Sequence, residues 1–214
     1  MIRIAPSMLA ADFLHLEESC KVVNDYADIF HLDIMDGSQV PNISFGFPVV
    51  EAIAEVARKP LDAHLMIVNP EKYIDRFAAV KGMSMISFHF EATAEPLRLI
   101  EQIHSHGIQA GIAFNPDVPV ESLFPLIPYC DFLLCMSVFA GFGGQKFIPE
   151  TLDRLRALKE EIVRTGSNCE LEVDGGVGES NAKAIAEAGA SILVAGSAVF
   201  KADDPAAIIA SLRQ

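Results

Sequence analysis

Apolar residues recur along this chain in two alternating rhythms. Short runs rich in Ile, Val, Leu and Phe are each followed by a longer segment with the spacing of a helix. The runs predict strands over residues 2–5, 29–34, 61–66, 85–89, 109–113, 132–136, 170–173 and 192–195. The segments between and after them predict helices over 12–23, 49–57, 71–80, 96–105, 120–127, 149–164, 180–187 and 205–212. Several of these begin at proline, which suits the first helical turn, and Gly82, Gly107 and Gly189 follow helix ends, where a left-handed residue costs little. No linker, charge block or low-complexity stretch divides the 214 residues. The pattern therefore predicts one α/β domain over residues 1–214, a parallel (β/α)8 TIM barrel. A doubly wound open sheet would more often carry phosphate-binding glycines after its first strand, whereas the glycine-rich turns here come late.

Within the strands the pattern is not uniformly apolar. A parallel barrel buries both faces of each strand, and residues i and i+2 share a face. In the second strand Phe30, Leu32 and Ile34 share one face, and His31 and Asp33 the other. In the third, Leu61, Ala63 and Leu65 oppose Asp62, His64 and Met66; in the fourth, Ile86 and Phe88 oppose Ser87 and His89; in the seventh, Leu171 and Val173 oppose Glu172 and Asp174. The apolar sets face the helices, so the polar sets point inward. His31, Asp33, His64 and Asp174 fall near the carboxyl ends of their strands, where barrel chemistry sits. Two histidines and two carboxylates converging on one mouth suit one divalent metal ion, and zinc, iron, manganese and cobalt all accept mixed N/O ligands. His89 and Glu172 lie lower or at the edge of this set, as outer support for the ligands.

Three glycine-rich turns follow the last strands: Gly141-Phe142-Gly143-Gly144-Gln145 after the sixth, Asp174-Gly175-Gly176 at the seventh and Gly196-Ser197-Ala198 at the eighth. Backbone N–H groups in such turns can wrap a phosphate without a basic side chain. Tight barrel closure is the structural alternative. Charge narrows the partners: 29 acidic against 16 basic residues give −13, which argues against sequence-independent nucleic-acid binding and against docking on anionic membranes. Cys20, Cys130, Cys135 and Cys169 form no C-x-x-C pair and read as reduced core thiols. The first residues lack the basic and long apolar regions of a signal peptide, and the longest nearly apolar run, 132–142, is too short to span a bilayer. These features predict a soluble cytoplasmic protein.

From Ala5-Pro6-Ser7 to Gly196-Ser197-Ala198-Val199-Phe200 the chain resembles the ribulose-phosphate 3-epimerase family. The likeness is carried by His31-Leu32-Asp33-Ile34-Met35-Asp36-Gly37, Val40-Pro41-Asn42, Leu61-Asp62-Ala63-His64-Leu65-Met66, Gly141 to Pro149, and Glu172-Val173-Asp174-Gly175-Gly176. The resemblance implies metal-dependent epimerisation of a ketose phosphate at carbon 3, with D-ribulose 5-phosphate and D-xylulose 5-phosphate of the pentose phosphate pathway as the pair. It implies His31, Asp33, His64 and Asp174 as metal ligands and Asp33 and Asp174 as the acid–base pair acting through a metal-stabilised enediolate. It implies Ser7, His64, Gly141, Phe142, Gly143, Gly144, Gly175, Gly176, Gly196 and Ser197 as substrate-binding, and a homo-oligomer. Inverting a centre beside a carbonyl needs a proton removed from one face and returned to the other, so two acid–base groups on opposite sides make chemical sense. Met35, Met66 and Met136 fit either an apolar wall under the reacting carbons or plain core packing.

Two departures bear on the substrate. Ser38-Gln39 stands where the family usually has His-Phe, and Phe139-Ala140 where it usually has Asn-Pro or Asp-Pro. Either change could admit a hexulose 6-phosphate such as D-allulose 6-phosphate. Rival barrels fare worse. No lysine ends a predicted strand, as a Schiff-base aldolase needs, and Asp33-Ile34-Met35-Asp36 lacks the lysine of orotidine-phosphate decarboxylases. A non-catalytic sugar-phosphate-binding barrel would need the glycine turns but not both Asp33 and Asp174.

Overall fold

The expected strands form in chain order in the computed structural model, which describes residues 2–214. They are β1 (Arg3–Pro6), β2 (Phe30–Met35), β3 (Leu61–Met66), β4 (Met83–His89), β5 (Gln109–Phe114), β6 (Phe132–Met136), β7 (Glu170–Asp174) and β8 (Ile192–Ala195). All pair in parallel, in the order β1-β8-β7-β6-β5-β4-β3-β2. Between β1 and β2 only one parallel bridge, Ser7 to His31, completes the circuit, so the sheet is a nearly closed barrel.

The helices α1 (Leu16–Tyr26), α2 (Phe47–Val56), α3 (Ile74–Ala78), α4 (Pro96–His104), α5 (Thr151–Thr165), α6 (Ala182–Glu187), α7 (Ser197–Phe200) and α8 (Pro205–Ser211) alternate with the strands. Several elements depart from expectation, among them the helix expected over 71–80, which splits into a 3-10 turn, Pro70–Lys72, and the short α3. The helix expected from residue 12 begins at Leu16, because the Asp12 side chain caps the Leu14 N–H and starts a separate 3-10 turn, Phe13–His15. Residues 120–127 form two 3-10 turns, Val120–Ser122 and Phe124–Leu126, instead of one α-helix. Pro125 has no N–H to give the preceding turn, and its ring disfavours helical backbone at Phe124. The short helix α7 was not anticipated; it follows β8 directly at Gly196.

The outward faces of the strands meet the helices in one large apolar layer that includes Phe30, Leu32, Leu65, Phe88, Ile112 and Leu193. A smaller layer inside the barrel contains Ala5, Met85, Ala113, Phe132, Leu134, Met136, Ile192 and Val194. The Phe132 ring lies against the neighbouring strand at Gly111, where an added Cβ would sit 2.2 Å from the ring tip. That missing side chain lets one aromatic ring fill the barrel interior at this level, and the polar groups gather elsewhere in the same interior. The four cysteines are buried free thiols. Among the described residues no helix is long and apolar enough to cross a membrane.

Candidate active site

The register of β2 and β3 pairs His31 with Asp62 and Asp33 with His64, so four polar side chains sit side by side on the barrel's inner face. His31, Asp62 and His64 are fully buried and Asp33 nearly so. Asp174, at the end of β7, is half-buried. One ligand atom from each of His31, Asp33, His64 and Asp174 lies within 4.8 Å of all the others. The expected ligand set is thus brought together from three strands.

The orientations of the side chains show how this set would hold an ion. His31 Nδ1 lies 2.6 Å from Asp62 Oδ2, while its Nε2 is buried without a hydrogen-bond partner, 3.4 Å from Asp33 Oδ1. His64 Nδ1 lies 3.2 Å from the same Asp33 oxygen. His64 Nε2 meets His89 Nε2 at 2.9 Å, with the two rings stacked at 5.1 Å. Ser7 Oγ donates to the other Asp33 oxygen at 2.5 Å. One oxygen of Asp33 therefore faces the imidazoles and the other faces Ser7. An orphaned imidazole nitrogen amid two carboxylates and a second imidazole fits a divalent cation with mixed N/O ligands. A second grouping, His31, Asp62 and Glu172, is equally close. There His31 Nδ1 is already engaged by the short hydrogen bond to Asp62, so this carboxylate orients the His31 ring.

The two carboxylates of the set differ in character. Burial works against charge on Asp33, but His31 and His64 beside it hold its carboxyl well below the usual carboxylate range. Burial, reinforced by the negative charge of Asp33, pushes Asp174 up to about 7. Burial and the neighbouring Asp62 push Glu172 up to about 8. Burial likewise pulls His64 down to about 4. His31 is opposed by burial but raised well above the ordinary imidazole value by Asp33 and Asp62.

Of these groups Asp33 and Asp174 open onto a cavity of about 680 Å³, within the size range of small-ligand sites. Of the residues expected to bind substrate, Ser7, Gly141, Phe142, Gly143, Gly144, Gly175, Gly176, Gly196 and Ser197 line it, whereas His64 is fully buried behind the wall and does not. The glycines fit tightly. A Cβ on Gly176, whose φ is +62°, would lie 2.4 Å from the Phe147 nitrogen, and one on Gly175 would lie 2.6 Å from Val138. Asn42 Nδ2 donates to the Gly141 carbonyl at 2.7 Å, and Gln145 Nε2 donates to the carbonyls of Phe139 and Phe142, each at 2.8 Å. These amides fix the loop after β6. Met35 and Met66 pack with Val40, and together with Met136 they also line the cavity, so packing and wall are one role.

The ribulose-phosphate 3 epimerase family matches over residues 3–200. The chain belongs to the ribulose-phosphate 3-epimerase family. The ribulose-phosphate 3-epimerase of Synechocystis is 47% identical, with 99% of this chain and 93% of that protein covered. That of Mycobacterium bovis is 44% identical, covering 99% of this chain and 91% of the relative. This chain is therefore an epimerase, an enzyme of the isomerase class. A solved mutant tryptophan synthase α-subunit from Pyrococcus furiosus shares the fold, with a TM-score of 0.72 at 18% identity over 100% of this chain and 98% of that one.

Sequence reasoning gave Asp62 no role, although its place two residues before His64 on the inner face of β3 was visible. It also missed Lys201, which lines the cavity one helical turn after Ser197. Of the two departures from the family pattern, Phe139 and Ala140 line the cavity. Ser38 and Gln39 instead donate backbone N–H groups to Asp36 Oδ1, at 2.7 and 2.9 Å, in a turn outside the cavity wall.

Proposed function

We propose that this enzyme interconverts D-ribulose 5-phosphate and D-xylulose 5-phosphate in the cytoplasm, with Asp33 and Asp174 as its two acid–base groups. The observation that carries this reading is that carboxylates from β2 and β7 meet at one cavity in unlike surroundings. Asp33 is bonded by Ser7 and flanked by two imidazoles, which favours the ionised base. At Asp174 burial and the negative charge of Asp33 outweigh His31 and the Gly175 N–H, which favours the protonated acid. One carboxyl ionised and one protonated is the state from which a proton can leave one face of carbon 3 and another arrive at the opposite face. Ser7 holds the outer oxygen of Asp33 toward the cavity, so the proton it takes has a defined site.

His31, Asp33, His64 and Asp174 would hold a divalent metal, which would supply Lewis-acid stabilisation of the developing negative charge. Asp62 and His89 orient the two imidazoles for that task. The turns at Gly144, Gly175–Gly176 and Gly196–Ser197 hold the phosphate end through backbone N–H groups; Gly144 and Ser197 face each other closely enough that a Cβ on the glycine would lie 3.6 Å from Ser197 Oγ. The cytoplasmic assignment is supported by a rice relative named as a cytoplasmic isoform.

A hexulose 6-phosphate such as D-allulose 6-phosphate is the second reading, and Phe139 and Ala140 in the cavity wall are what favour it. A paired turnover assay on metal-replete protein separates the two. The pentulose phosphate is expected to win by a large factor in kcat/KM. A win for the hexulose phosphate overturns the substrate, and unchanged turnover in both Asp33→Asn and Asp174→Asn overturns the mechanism.

A further inference from the structure

A sugar phosphate brings close to two negative charges at neutral pH, and the cavity proposed to take it is poor in cations. Asp33 contributes negative charge to its wall, and the whole chain carries −13. The long-range field therefore opposes an approaching anion. Among the residues lining the cavity, Lys201 is the sole lysine or arginine.

Its placement follows from local geometry. Lys201 ends the turn of α7, and its N–H donates to the Ser197 carbonyl. A spacing of four residues puts Ser197 and Lys201 on one face of that turn, and both line the cavity. Lys201 is exposed, and among the described residues its ammonium group makes no ion pair or hydrogen bond. Some other cations are engaged, such as Arg58 with Asp25 and Lys81 with Glu55, but most lysines are equally free, so it is the place of Lys201 on the cavity wall that singles it out. A free ammonium on a flexible stem, on the cavity that the glycine turns at Gly176 and Gly196 also line, is suited to meet a phosphate as a mobile point charge.

We propose that Lys201 captures the phosphate end of the substrate, drawing the anion into a cavity lined by no other lysine or arginine. This rests on the sugar-phosphate reading above. The backbone N–H groups then set the orientation of the phosphate, and Lys201 contributes to capture and retention without touching carbon 3.

The test is steady-state kinetics of metal-loaded wild type, Lys201→Gln, Lys201→Arg and Lys59→Gln on D-ribulose 5-phosphate, at low and high salt, with inorganic phosphate as inhibitor. Lys59 lies just before β3, at the opposite end of the barrel, and controls for net charge. Lys201→Gln is expected to lower kcat/KM roughly 3- to 10-fold at low salt, with the deficit shrinking at high salt as charges are screened. The loss should fall on KM, with kcat little changed, and the inhibition constant of phosphate should rise in parallel. Lys201→Arg should recover most of the loss, and Lys59→Gln should match wild type. Wild-type KM and phosphate inhibition in Lys201→Gln at low salt overturn the role of Lys201 while leaving the proposed function standing. An equal loss in Lys59→Gln overturns it too, because net charge then explains the effect. If wild type neither turns over the sugar phosphate nor is inhibited by phosphate, the proposed function itself falls, and the role of Lys201 with it.

Discussion

Asp62→Asn isolates the support given to one proposed metal ligand. Asp62 Oδ2 lies 2.6 Å from His31 Nδ1, and neither residue has any solvent exposure. The asparagine keeps the size and an acceptor oxygen, so the hydrogen bond survives and the charge is lost. A hydrogen bond to a charged group contributes about 1.5–3 kcal/mol and a neutral one about 0.5–1.5, so the change removes roughly 1–1.5 kcal/mol from the preference for His31 as ligand. That is a loss of about tenfold in metal affinity, at the lower end of the roughly 10- to 100-fold range for outer partners of ligating histidines. Glu172 stands farther off, with its Oε1 3.6 Å from His31 Nδ1 and no hydrogen bond. Glu172→Gln should therefore change affinity by less than about threefold. The assay is zinc competition against a chromophoric chelator, with circular dichroism to show that each variant is folded. Affinity in Asp62→Asn within about twofold of wild type refutes the argument, as does a larger loss in Glu172→Gln than in Asp62→Asn.

Asp174→Asn should reduce epimerisation by roughly 10²- to 10⁴-fold, the usual size of a lost acid–base group, while Asp33 still exchanges the carbon-3 hydrogen with solvent deuterium, followed by NMR. Metal-free protein should lose thermal stability as pH rises from about 6.5 to about 8. Over that window the folded state holds protons on Glu172, Asp174 and His31 that the unfolded chain has released. Their stabilisation is present at lower pH and is lost as pH climbs through the raised values, whereas His64, lowered to about 4, acts in the opposite sense only below the ordinary imidazole value of 6.5. Tm of chelator-treated protein against pH checks this, and a flat or rising trend counts against it. Gly176→Ala should lower Tm by roughly 2–8 °C from its left-handed backbone alone, before any clash with the Phe147 nitrogen, and calorimetry reads it directly.

How far the sequence could be read depended on the range of the interactions. Strand positions were visible because each strand is a short apolar run, and the inward histidines and carboxylates were visible because they break the apolar rule at alternate positions. Ser7 could be aligned with a known motif, but its bond to Asp33 spans 26 residues and depends on a bridge between β1 and β2 that no local pattern encodes. Asp62 was seen as inward-facing, yet its partner His31 lies on another strand and only the register of β2 against β3 joins them. Lys201 was missed because α7 has one turn, too short for helical periodicity to register, so its shared face with Ser197 appears only in three dimensions. The helix expected at 120–127 failed for the opposite reason. Its apolar spacing is genuine, but Pro125 removes the N–H that an α-helix needs there.

The weak seam of the barrel and the chemistry of the site are the same place. Every neighbouring pair of strands except β1 and β2 is joined by a ladder; that pair has one bridge, Ser7 to His31. His31 is a proposed metal ligand, and the Ser7 hydroxyl bonds Asp33, the proposed base. Closing the barrel therefore sets the position of a ligand and aims the base in a single step. A full ladder between β1 and β2 would satisfy more backbone groups, but it would constrain the chain around Ser7 by its pairing and not by its side chain. Here the sheet opens just where Ser7, Leu9 and Ala10 turn to line the cavity. The adjoining 3-10 turn, Met8–Ala10, carries the chain away, and Ser7 caps it by accepting the Leu9 N–H at 3.3 Å. One hydroxyl thus caps a turn and orients the carboxylate on which the proposed proton transfer depends.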